Sequence, residues 1–470
     1  MTKISGSESS VVGADGRPWP TYREALVVWL RVALLSFGGP AGQIAIMHRI
    51  IVEEKRWVGE ARFLHALNFC MLLPGPEAQQ LTVYLGWLMH RWRGGFAAGI
   101  LFVLPGMLAV MALTCVYALY GKVGFVAAMF FGLKAAVLAI VLQAVVRIGA
   151  KALQNSVMIL LAGASFIGIF GFDLPFPAII LIAGIVGFLT SHSGAKFFVA
   201  GGKEKTLDNA FSNTRDTILG DDIPPHTSPG NANVVGISLV LLGLWFAPLF
   251  GLIFVFGTGS VFSDIAVFFS KMAVVGFGGA YAVLAYVAQA AVETFGWLEP
   301  GEMLDGLGLA ETTPGPLIMV TQFVGFLGAF RDAGSLNPLL AGVLGGLLTT
   351  WVTFVPCFLW IFMGAPYVER LRESQHLSAA LSAITAAVVG VILNLAVWFA
   401  LHVIFRTVGL FQGFGLRVPV PDLSTLDPIA LSLVVAALLA VFWFRIGILL
   451  LLCSAAIIGF GLYSRGLINF

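Results

Sequence analysis

Long runs of apolar residues, each ended by charged or turn-forming residues, dominate this chain. In the first half they lie at about 25–47, 63–89, 95–120, 125–147, 155–171 and 176–190. In the second half they lie at about 265–290, 303–330, 338–363, 378–404, 428–443 and 445–463, and one further run lies between the halves at about 234–256. Runs of this length are typical of membrane helices. The pattern therefore predicts an all-α polytopic membrane protein.

Helix-breaking motifs recur in the two halves at a spacing of 240 residues. The matched pairs are Pro74-Gly75-Pro76 with Pro314-Gly315-Pro316, Ser36-Phe37-Gly38-Gly39 with Gly276-Phe277-Gly278-Gly279, and Trp57 with Trp297. Farther along, the spacing becomes about 251, as between Pro105 and Pro356. An internal duplication with interrupted apolar segments at matching positions indicates a secondary transporter whose site lies between the repeats.

The duplication divides the chain into five predicted parts. These are a polar N-terminal tail (1–24), a first transporter repeat (25–190), a linker (191–233), a linking transmembrane helix (234–256) and a second repeat (257–470). A single crossing between two units that each have an even number of crossings inverts the second unit. We therefore expect two inverted-topology repeats of about six segments each.

The distribution of basic residues supports inversion, because Lys and Arg near segment ends concentrate on the cytoplasmic side. The connector 48–62 holds four of them, whereas the equivalent connector 293–302 holds neither Lys nor Arg. The N-terminus and the linker 191–233 are expected to be cytoplasmic. Successive basic connectors also favour re-entrant hairpins for segments 25–47 and 63–89, broken at their Gly and Pro motifs. The alternative, in which both segments cross the membrane, stays open.

Composition agrees with a membrane protein and narrows the function. Of the 470 residues, 59% are hydrophobic and 11% charged, and the mean hydropathy is +0.96, which excludes a soluble globule. We expect a lipid bilayer around the chain and no nucleic-acid partner. The four cysteines stand singly in apolar segments, so neither a disulfide framework nor a metal or other cofactor is predicted. Without paired catalytic carboxylates or a nucleophile with its base, an enzyme is not expected.

The broken helices are the candidate binding site. Proline is tolerated as the first residue of a helix, so Pro40, Pro76 and Pro316 are each predicted to open a helix after a break, and Pro74 and Pro314 complete the helix-breaking set. Helix N-termini present unpaired N–H groups and partial positive charge, which together bind oxyanions. The alternative is that the small residues only allow close helix packing. The predicted substrate-binding residues are Arg31, Ser36, Gly38, Gly39, Gln43, Gly75, Gln79, Gln80, Lys271, Gly278, Gly279, Thr313 and Gly315.

Four charged residues near the breaks carry specific predictions. Arg31 and Lys271 occupy equivalent positions in apolar surroundings, where two cations would balance a dianion. Alternatively, the Arg31 side chain reaches the membrane surface. Glu77 follows Pro76, and Glu311 precedes Pro314 by three residues, so both are candidates for proton coupling. Alternatively, Glu77 caps free amides at a helix N-terminus.

The motifs of the first repeat resemble those of the chromate ion transporter family, of the long two-domain type. The stretches that carry the resemblance are Ser36-Phe37-Gly38-Gly39-Pro40-Ala41-Gly42-Gln43, Met47-His48, Glu54-Lys55-Arg56-Trp57 and Leu73-Pro74-Gly75-Pro76-Glu77-Ala78-Gln79-Gln80-Leu81. The resemblance spans about 25–460 and implies an inner-membrane exporter of chromate that confers chromate resistance, with sulfate as a similar oxyanion. The second repeat departs from the pattern with Gly276 for Ser36, Ala280 for Pro40 and Leu317 for Glu77. Protonatable functions are therefore expected in the first repeat.

Energetics favour export as the direction of transport. Moving a dianion out of a cell with a negative interior gains about 4.6 kcal/mol for each 100 mV of membrane potential, so proton coupling is optional. Three alternatives stay open, namely a sulfate or other oxyanion importer or exchanger, an anion channel and a membrane-embedded enzyme. A homodimer is also among the expectations.

Overall fold

The computed structural model describes residues 13–192, 217–220, 231–277, 279–365, 375–413 and 415–468. Sixteen α-helices lie in these ranges. Those of the first half are α1 (Tyr22–Leu35), α2 (Gly39–His48), α3 (Glu60–Met71), α4 (Glu77–Tyr120), α5 (Gly124–Ala152), α6 (Ser156–Phe172) and α7 (Phe176–His192). Next come α8 (Asn231–Phe256), α9 (Val261–Val275), α10 (Ala280–Gln289), α11 (Pro300–Thr312), α12 (Val320–Arg331), α13 (Pro338–Gly364), α14 (Gln375–Ile404), α15 (Pro428–Phe442) and α16 (Ile448–Ser464). Residues 1–12 of the predicted tail and most of the predicted linker fall outside the described residues.

The helices of the first half end at the Gly and Pro motifs. Between α1 and α2 the backbone of Gly38 has φ 80°, and between α3 and α4 that of Gly75 has φ 116°. Glycine adopts such positive φ values without the steric cost that other residues incur. Helices α1, α2 and α3 have 14, 10 and 12 residues, or about 15–21 Å at 1.5 Å per residue, which is shorter than the hydrocarbon layer of about 30 Å.

Helix α4 is two helices that meet at a sharp turn. His90 and Arg91 have non-helical backbone angles, which divides the element into 77–89 and 92–120. The second half has a different connection at the equivalent place. There, the loop 332–337 and additional residues at the start of α13 replace the sharp turn. The extra residues account for the change in spacing between matched positions from 240 to about 251.

The second half follows the same order of elements as the first. Helix α9 ends at Val275, α10 begins at Ala280, and a short 3₁₀ helix, Leu317–Met319, leads into α12. Two π-helices, Arg49–Glu54 and Ala290–Thr294, follow α2 and α10.

The last two helices of each half pack on the long helix of the other half. Helices α6 and α7 lie against α14, whereas α15 and α16 lie against α5. Glycines allow the close approach: a side chain at Gly132 of α5 would overlap the backbone of Ala455, and one at Gly390 of α14 would overlap that of Ala162. The two halves are therefore interlocked rather than side by side.

The ends of the first two apolar segments meet at one end of the molecule. The amide of Ala14 donates to the carbonyl oxygen of Ile218 (3.0 Å), and the amide of Ile218 donates to that of Arg56 (3.1 Å). The Trp19 indole likewise donates to the carbonyl oxygen of Met89 (3.0 Å). The tail, the connector 48–62, the turn after residue 89 and residues 217–220 thus lie together. In the second half, Arg331 Nη1 donates to the carbonyl oxygen of Trp297 (2.6 Å), which joins the two ends of segment 303–330 in the same way.

The chain is an all-α polytopic membrane protein with one small addition. Among the described residues, five helices are long and apolar enough to cross a membrane. The addition is an antiparallel hairpin of β1 (Val408–Gly413) and β2 (Leu416–Pro421) between α14 and α15. The sequence pattern did not predict this hairpin because it lies between apolar segments and has no long alternating run of its own.

Candidate functional site

The helix breaks of the two repeats are hydrogen-bonded to each other. The amide of Gly75 donates to the carbonyl oxygen of Gly276 (2.9 Å), and the amide of Gly315 donates to that of Ser36 (2.9 Å). Both members of the second bond lie 240 positions from their equivalents in the first. The spacing that relates the repeats in the sequence therefore also relates these contacts. All four breaks consequently converge on one region.

The three prolines predicted to open helices occupy different positions relative to the helices that follow the breaks. Pro40 lies in the first turn of α2, as predicted. Pro76 is the N-cap residue of α4, and Pro316 that of the 3₁₀ helix, each with extended backbone. The predicted helix starts at these two positions are thus displaced by one residue, because their ψ angles of 109° and 134° are not helical.

Most of the side chains predicted to bind substrate instead form hydrogen bonds to backbone carbonyl oxygens in or near the breaks. Gln43 Nε2 donates to the carbonyl oxygen of Gly315 across the repeats (2.6 Å), and Gln80 Nε2 donates to that of Pro74 (2.7 Å). The hydroxyls of Ser36 and Thr313 donate to carbonyl oxygens within their own segments. These donors are consequently engaged by the protein in this conformation.

Several buried polar atoms beside the breaks have no hydrogen-bond partner among the described residues, and in Gln79 and Thr353 this holds for every polar atom of the side chain. Neither amide atom of Gln79 has a hydrogen-bond partner among the described residues, although the side chain is fully buried. The Thr353 hydroxyl on α13 is likewise buried and has no partner in the described part of the chain. Thr353 lines a void of about 10 Å³ together with Gly75, Gly276 and Gly279. Buried polar groups in proteins are nearly always hydrogen-bonded, so groups without a partner are exceptions and are available to a polar ligand.

Glu77 approaches a glycine of the opposite repeat directly, whereas Glu311 is linked to one only through the Tyr281 hydroxyl. A Cβ atom added to Gly279 would lie 3.2 Å from Glu77 Oε1. Glu311 Oε1 accepts a hydrogen bond from the Tyr281 hydroxyl (2.8 Å), and that hydroxyl lies 3.7 Å from the Cβ position of Gly39. Gly39 and Gly279 are equivalent positions in the two repeats.

Tyr281, Arg147 and Thr353 are the residues of this region that the sequence analysis missed. The charge of Arg147 on α5 interacts with both Glu311 and Tyr281. Tyr281 directly follows the break at Gly279 and Ala280, so its position beside a duplicated motif was the available signal. Arg147 had no such signal, because its electrostatic interaction with Glu311 depends on how α5 packs against α11.

The two predicted cations are not gathered at the breaks. Arg31 Nη1 pairs with Glu54 Oε2 (2.6 Å), and its side chain is about half exposed. Lys271 is exposed as well. On α1 the buried positions recur every three or four residues, as at Ala25, Val28 and Val32, and Arg31 falls on the opposite face. Most of α9 is buried, and Lys271 lies on its one less buried face, with Val267 and Val274. Gly278 lies outside the described residues.

A second group of charges lies on α11, away from the breaks. Asp305 is 3% exposed; its Oδ2 accepts a hydrogen bond from the Tyr117 hydroxyl (2.9 Å) and lies 3.5 Å from Lys134 Nζ. Nearby, Arg331 makes two hydrogen bonds to the Glu302 carboxylate (2.5 and 2.8 Å). These pairs tie α11 to α4, α5 and α12, which are the helices around the breaks.

A larger cavity of about 620 Å³ lies between α6, α10, α14 and the β-hairpin. It includes Ala285, six residues beyond Gly279, or about 9 Å along α10. Asp173 in its lining accepts a hydrogen bond from Gln289 (2.7 Å) and pairs with Arg417 of the hairpin (3.2 Å). The cavity, which is large enough to hold several water molecules, therefore lies within two helical turns of a break.

These features suit the binding of a small oxyanion. Backbone amides at helix N-termini and neutral side-chain donors bind anions without a dedicated cation. The void at the breaks has room for about one water molecule, so a larger ligand requires the breaks to separate.

Comparison with known proteins identifies a family. The family model described as Chromate transporter matches residues 23–188 and 263–460. The chromate transport protein of Pseudomonas aeruginosa is 30% identical over 80% of this chain and 80% of its own length. That of Cupriavidus metallidurans is 28% identical over 79% of this chain and 82% of its own, and the probable chromate transport protein of Synechococcus elongatus is 28% identical over 77% and 81%.

No solved structure matches the chain. The family model covers both repeats and leaves out only the tail, the region between the repeats and the last residues. The relatives carry the names of transport proteins, not of enzymes. The chain belongs to the chromate transporter family.

Proposed function

We propose that this protein is a secondary transporter that exports chromate across the inner membrane and thereby confers chromate resistance. The observation that carries the proposal is the pair of equivalent hydrogen bonds, Gly75 to Gly276 and Gly315 to Ser36, which brings four helix breaks together around free polar groups. Chromate as the substrate rests on the family and on the names of the relatives. Sulfate has the same charge and tetrahedral shape and is the expected competitor.

The membrane potential is the proposed driving force. A dianion that leaves a cell with a negative interior gains about 4.6 kcal/mol for each 100 mV. Coupling to protons through Glu77 or Glu311 adds to this force without being required. The 10 Å³ void favours alternating access over a permanently open channel, because the site in this conformation is closed to an ion of this size.

The proposed topology is a pair of inverted repeats whose broken segments are re-entrant hairpins. Both ends of segments 25–47 and 63–89 lie at one end of the molecule, which supports hairpins over full crossings. Helix α8, with 26 residues or about 39 Å, is long enough to carry the chain to the opposite face, where the second repeat begins. We place the N-terminus and the linker in the cytoplasm on the evidence of the basic connectors.

The hairpin topology is tested by labelling a cysteine introduced at Lys55 in a variant without the native cysteines. An impermeant thiol reagent should label it in everted vesicles and fail to label it in intact cells. Labelling from outside would contradict the hairpins. A homodimer stays a prediction, which mass photometry of the protein in nanodiscs would test.

Chromate transport is tested in everted membrane vesicles with and without an imposed potential, positive inside. The wild type should accumulate chromate in a saturable, potential-dependent manner, and excess sulfate should compete. Gln79→Leu should lose most of this uptake because it removes the free buried amide at the breaks. Gln154→Leu, the same change at an exposed position, is the matched control.

Two further results would redirect the proposal. Accumulation of chromate or sulfate by intact cells, with none in everted vesicles, would indicate an importer. Flux that does not saturate would indicate a channel. Arg31→Ala tests whether Arg31 belongs to the binding site, as its position in the sequence suggested. Because its side chain is exposed in the structure, we expect near-normal transport. Loss of transport would instead support the charged site.

A further inference from the structure

The glycine breaks are occupied by oxygen atoms of the protein itself. Glu77, in the first turn of α4, directs Oε1 at Gly279, the N-cap residue of α10. Its carboxylate thus lies beside the N-termini of two helices, one from each repeat. Helix N-termini attract anions through their free amides and their partial positive charge. This is the position at which an oxyanion would be expected.

The equivalent glycine in the first repeat faces a second oxygen. The Tyr281 hydroxyl lies 3.7 Å from the Cβ position of Gly39, which is in the first turn of α2. Since that hydroxyl donates its proton to Glu311, it presents only lone pairs in other directions. Glu77 and Tyr281 are not equivalent in sequence, because their counterparts are Leu317 and Ala41. Each of the two break glycines therefore has an oxygen atom of the protein beside it, and non-equivalent residues supply these oxygens.

The free groups around the breaks indicate that these oxygens are placeholders. Gln79 and Thr353 are fully or almost fully buried and have no hydrogen-bond partner among the described residues, and Glu311 Oε2 is in the same state. A closed structural core would satisfy such groups. A site that awaits a ligand with several oxygens would not.

We propose that Glu77 and the Tyr281–Glu311 pair are internal ligands, which occupy the anion positions at the breaks and which the transported oxyanion must displace. This inference rests on the proposed function and adds that the site competes with its own carboxylate. If the carboxylate occupies the site for about nine-tenths of the time, the apparent affinity for substrate is reduced about tenfold. Protonation of Glu77 neutralises the competitor and favours its release.

Few other ionisable groups bear on these carboxylates in the described structure. The Cys70 thiol on α3 interacts electrostatically with Glu77, and Arg147 interacts with Glu311 and Tyr281. Arginine keeps its charge and an ordinary thiol stays neutral between pH 5.5 and 7.5, so a response to pH in this range points to the carboxylates.

The test is equilibrium binding of ⁵¹Cr-labelled chromate to the purified full-length protein in nanodiscs at pH 7.5. Glu77→Gln should bind chromate about tenfold more tightly than the wild type, because the amide is neutral and competes poorly. Tyr281→Phe keeps the ring and removes the hydroxyl, so it should also bind more tightly. Glu24→Gln, which neutralises an exposed carboxylate paired with Lys55, should equal the wild type.

The comparison is repeated at pH 5.5. Protonation of chromate affects every variant alike, so the ratio of the wild-type Kd to the Glu77→Gln Kd reports the carboxylate. That ratio should fall towards one at low pH. Weaker or unchanged binding by a folded Glu77→Gln or Tyr281→Phe protein would overturn the inference and leave the proposed function standing. Absence of saturable binding in the wild type and in both variants would overturn both.

Discussion

Alanine substitution at the two equivalent break glycines should have unequal effects, with Gly315→Ala the more damaging. Gly75 and Gly315 have φ 116° and 99°, so either substitution forces a side chain into the left-handed region. Such strain costs about 1–3 kcal/mol per residue. This part of the cost is common to the two variants.

The two glycines differ in the atoms that an added side chain would meet. A Cβ atom at Gly315 would lie 3.1 Å from Cα and 3.3 Å from the nitrogen of Gly106, and a helix backbone cannot rotate away. A Cβ atom at Gly75 would meet only side-chain atoms, Cys357 Sγ at 3.0 Å and Gln80 Nε2 at 3.1 Å. Overpacking against a rigid neighbour adds about 1–3 kcal/mol. We therefore expect Gly315→Ala to be the less stable variant by about 2 kcal/mol.

The assay is the thermal midpoint of the purified variants, followed by size-exclusion chromatography, together with chromate uptake. Position 357 is equivalent to Gly106, so Cys357→Gly should relieve the crowding at position 75. In a double-mutant cycle, Gly75→Ala and Cys357→Gly should couple favourably by about 0.5–3 kcal/mol. A Gly315→Ala protein as stable as the wild type, or a cycle without coupling, would show that these glycines are not crowded in this way.

Three further predictions concern packing and charge. Asp305→Ala should destabilise the protein by about 3–5 kcal/mol because it strands the partly buried Lys134, and the double variant with Lys134→Ala should recover part of the loss in thermal midpoint. Gly132→Ala and Gly390→Ala should each lower the thermal midpoint markedly, because both side chains would overlap backbone of the opposite repeat; a wild-type midpoint in either would contradict the interlocked packing. Gly163→Ala, where the added Cβ meets nothing within 4 Å, should raise stability by about 0.5–1 kcal/mol.

The duplicated motifs were sufficient to predict where the helices break. The positive φ values at Gly38, Gly75, Gly279 and Gly315 lie within the motifs that recur 240 residues apart. This succeeded because a Gly beside a Pro in an apolar segment has few roles other than to end or begin a helix. The repeat spacing also predicts which break contacts which, as the bond from Gly315 to Ser36 shows.

The orientation of side chains was not predictable from the same pattern. Segments 25–47 and 265–290 are apolar on nearly all sides, so the sequence hardly distinguishes the buried face from the lipid face. Arg31 and Lys271 were consequently placed in the site by position along the chain, although the structure puts them on the exposed faces of α1 and α9.

Contacts that depend on the exchange of helices between repeats were also beyond the sequence. Helices α15 and α16 pack on α5 of the first repeat. Nothing in their own sequence indicates whether they pack on α5 or on α14. The electrostatic interaction of Arg147 with Glu311 and the void lined by Thr353 likewise depend on how parts of the two repeats pack together. Predicting them requires the tertiary arrangement of both repeats at once.

Chromate is proposed to bind where the four breaks meet. Cryo-electron microscopy of the wild-type protein in nanodiscs, with and without saturating chromate, would show whether it does. We expect new density bordered by Gly75, Gly276, Gly279 and Thr353, with the breaks moved apart to admit it. Chromate density confined to the cavity beside the β-hairpin, or to the exposed faces that carry Arg31 and Lys271, would contradict it.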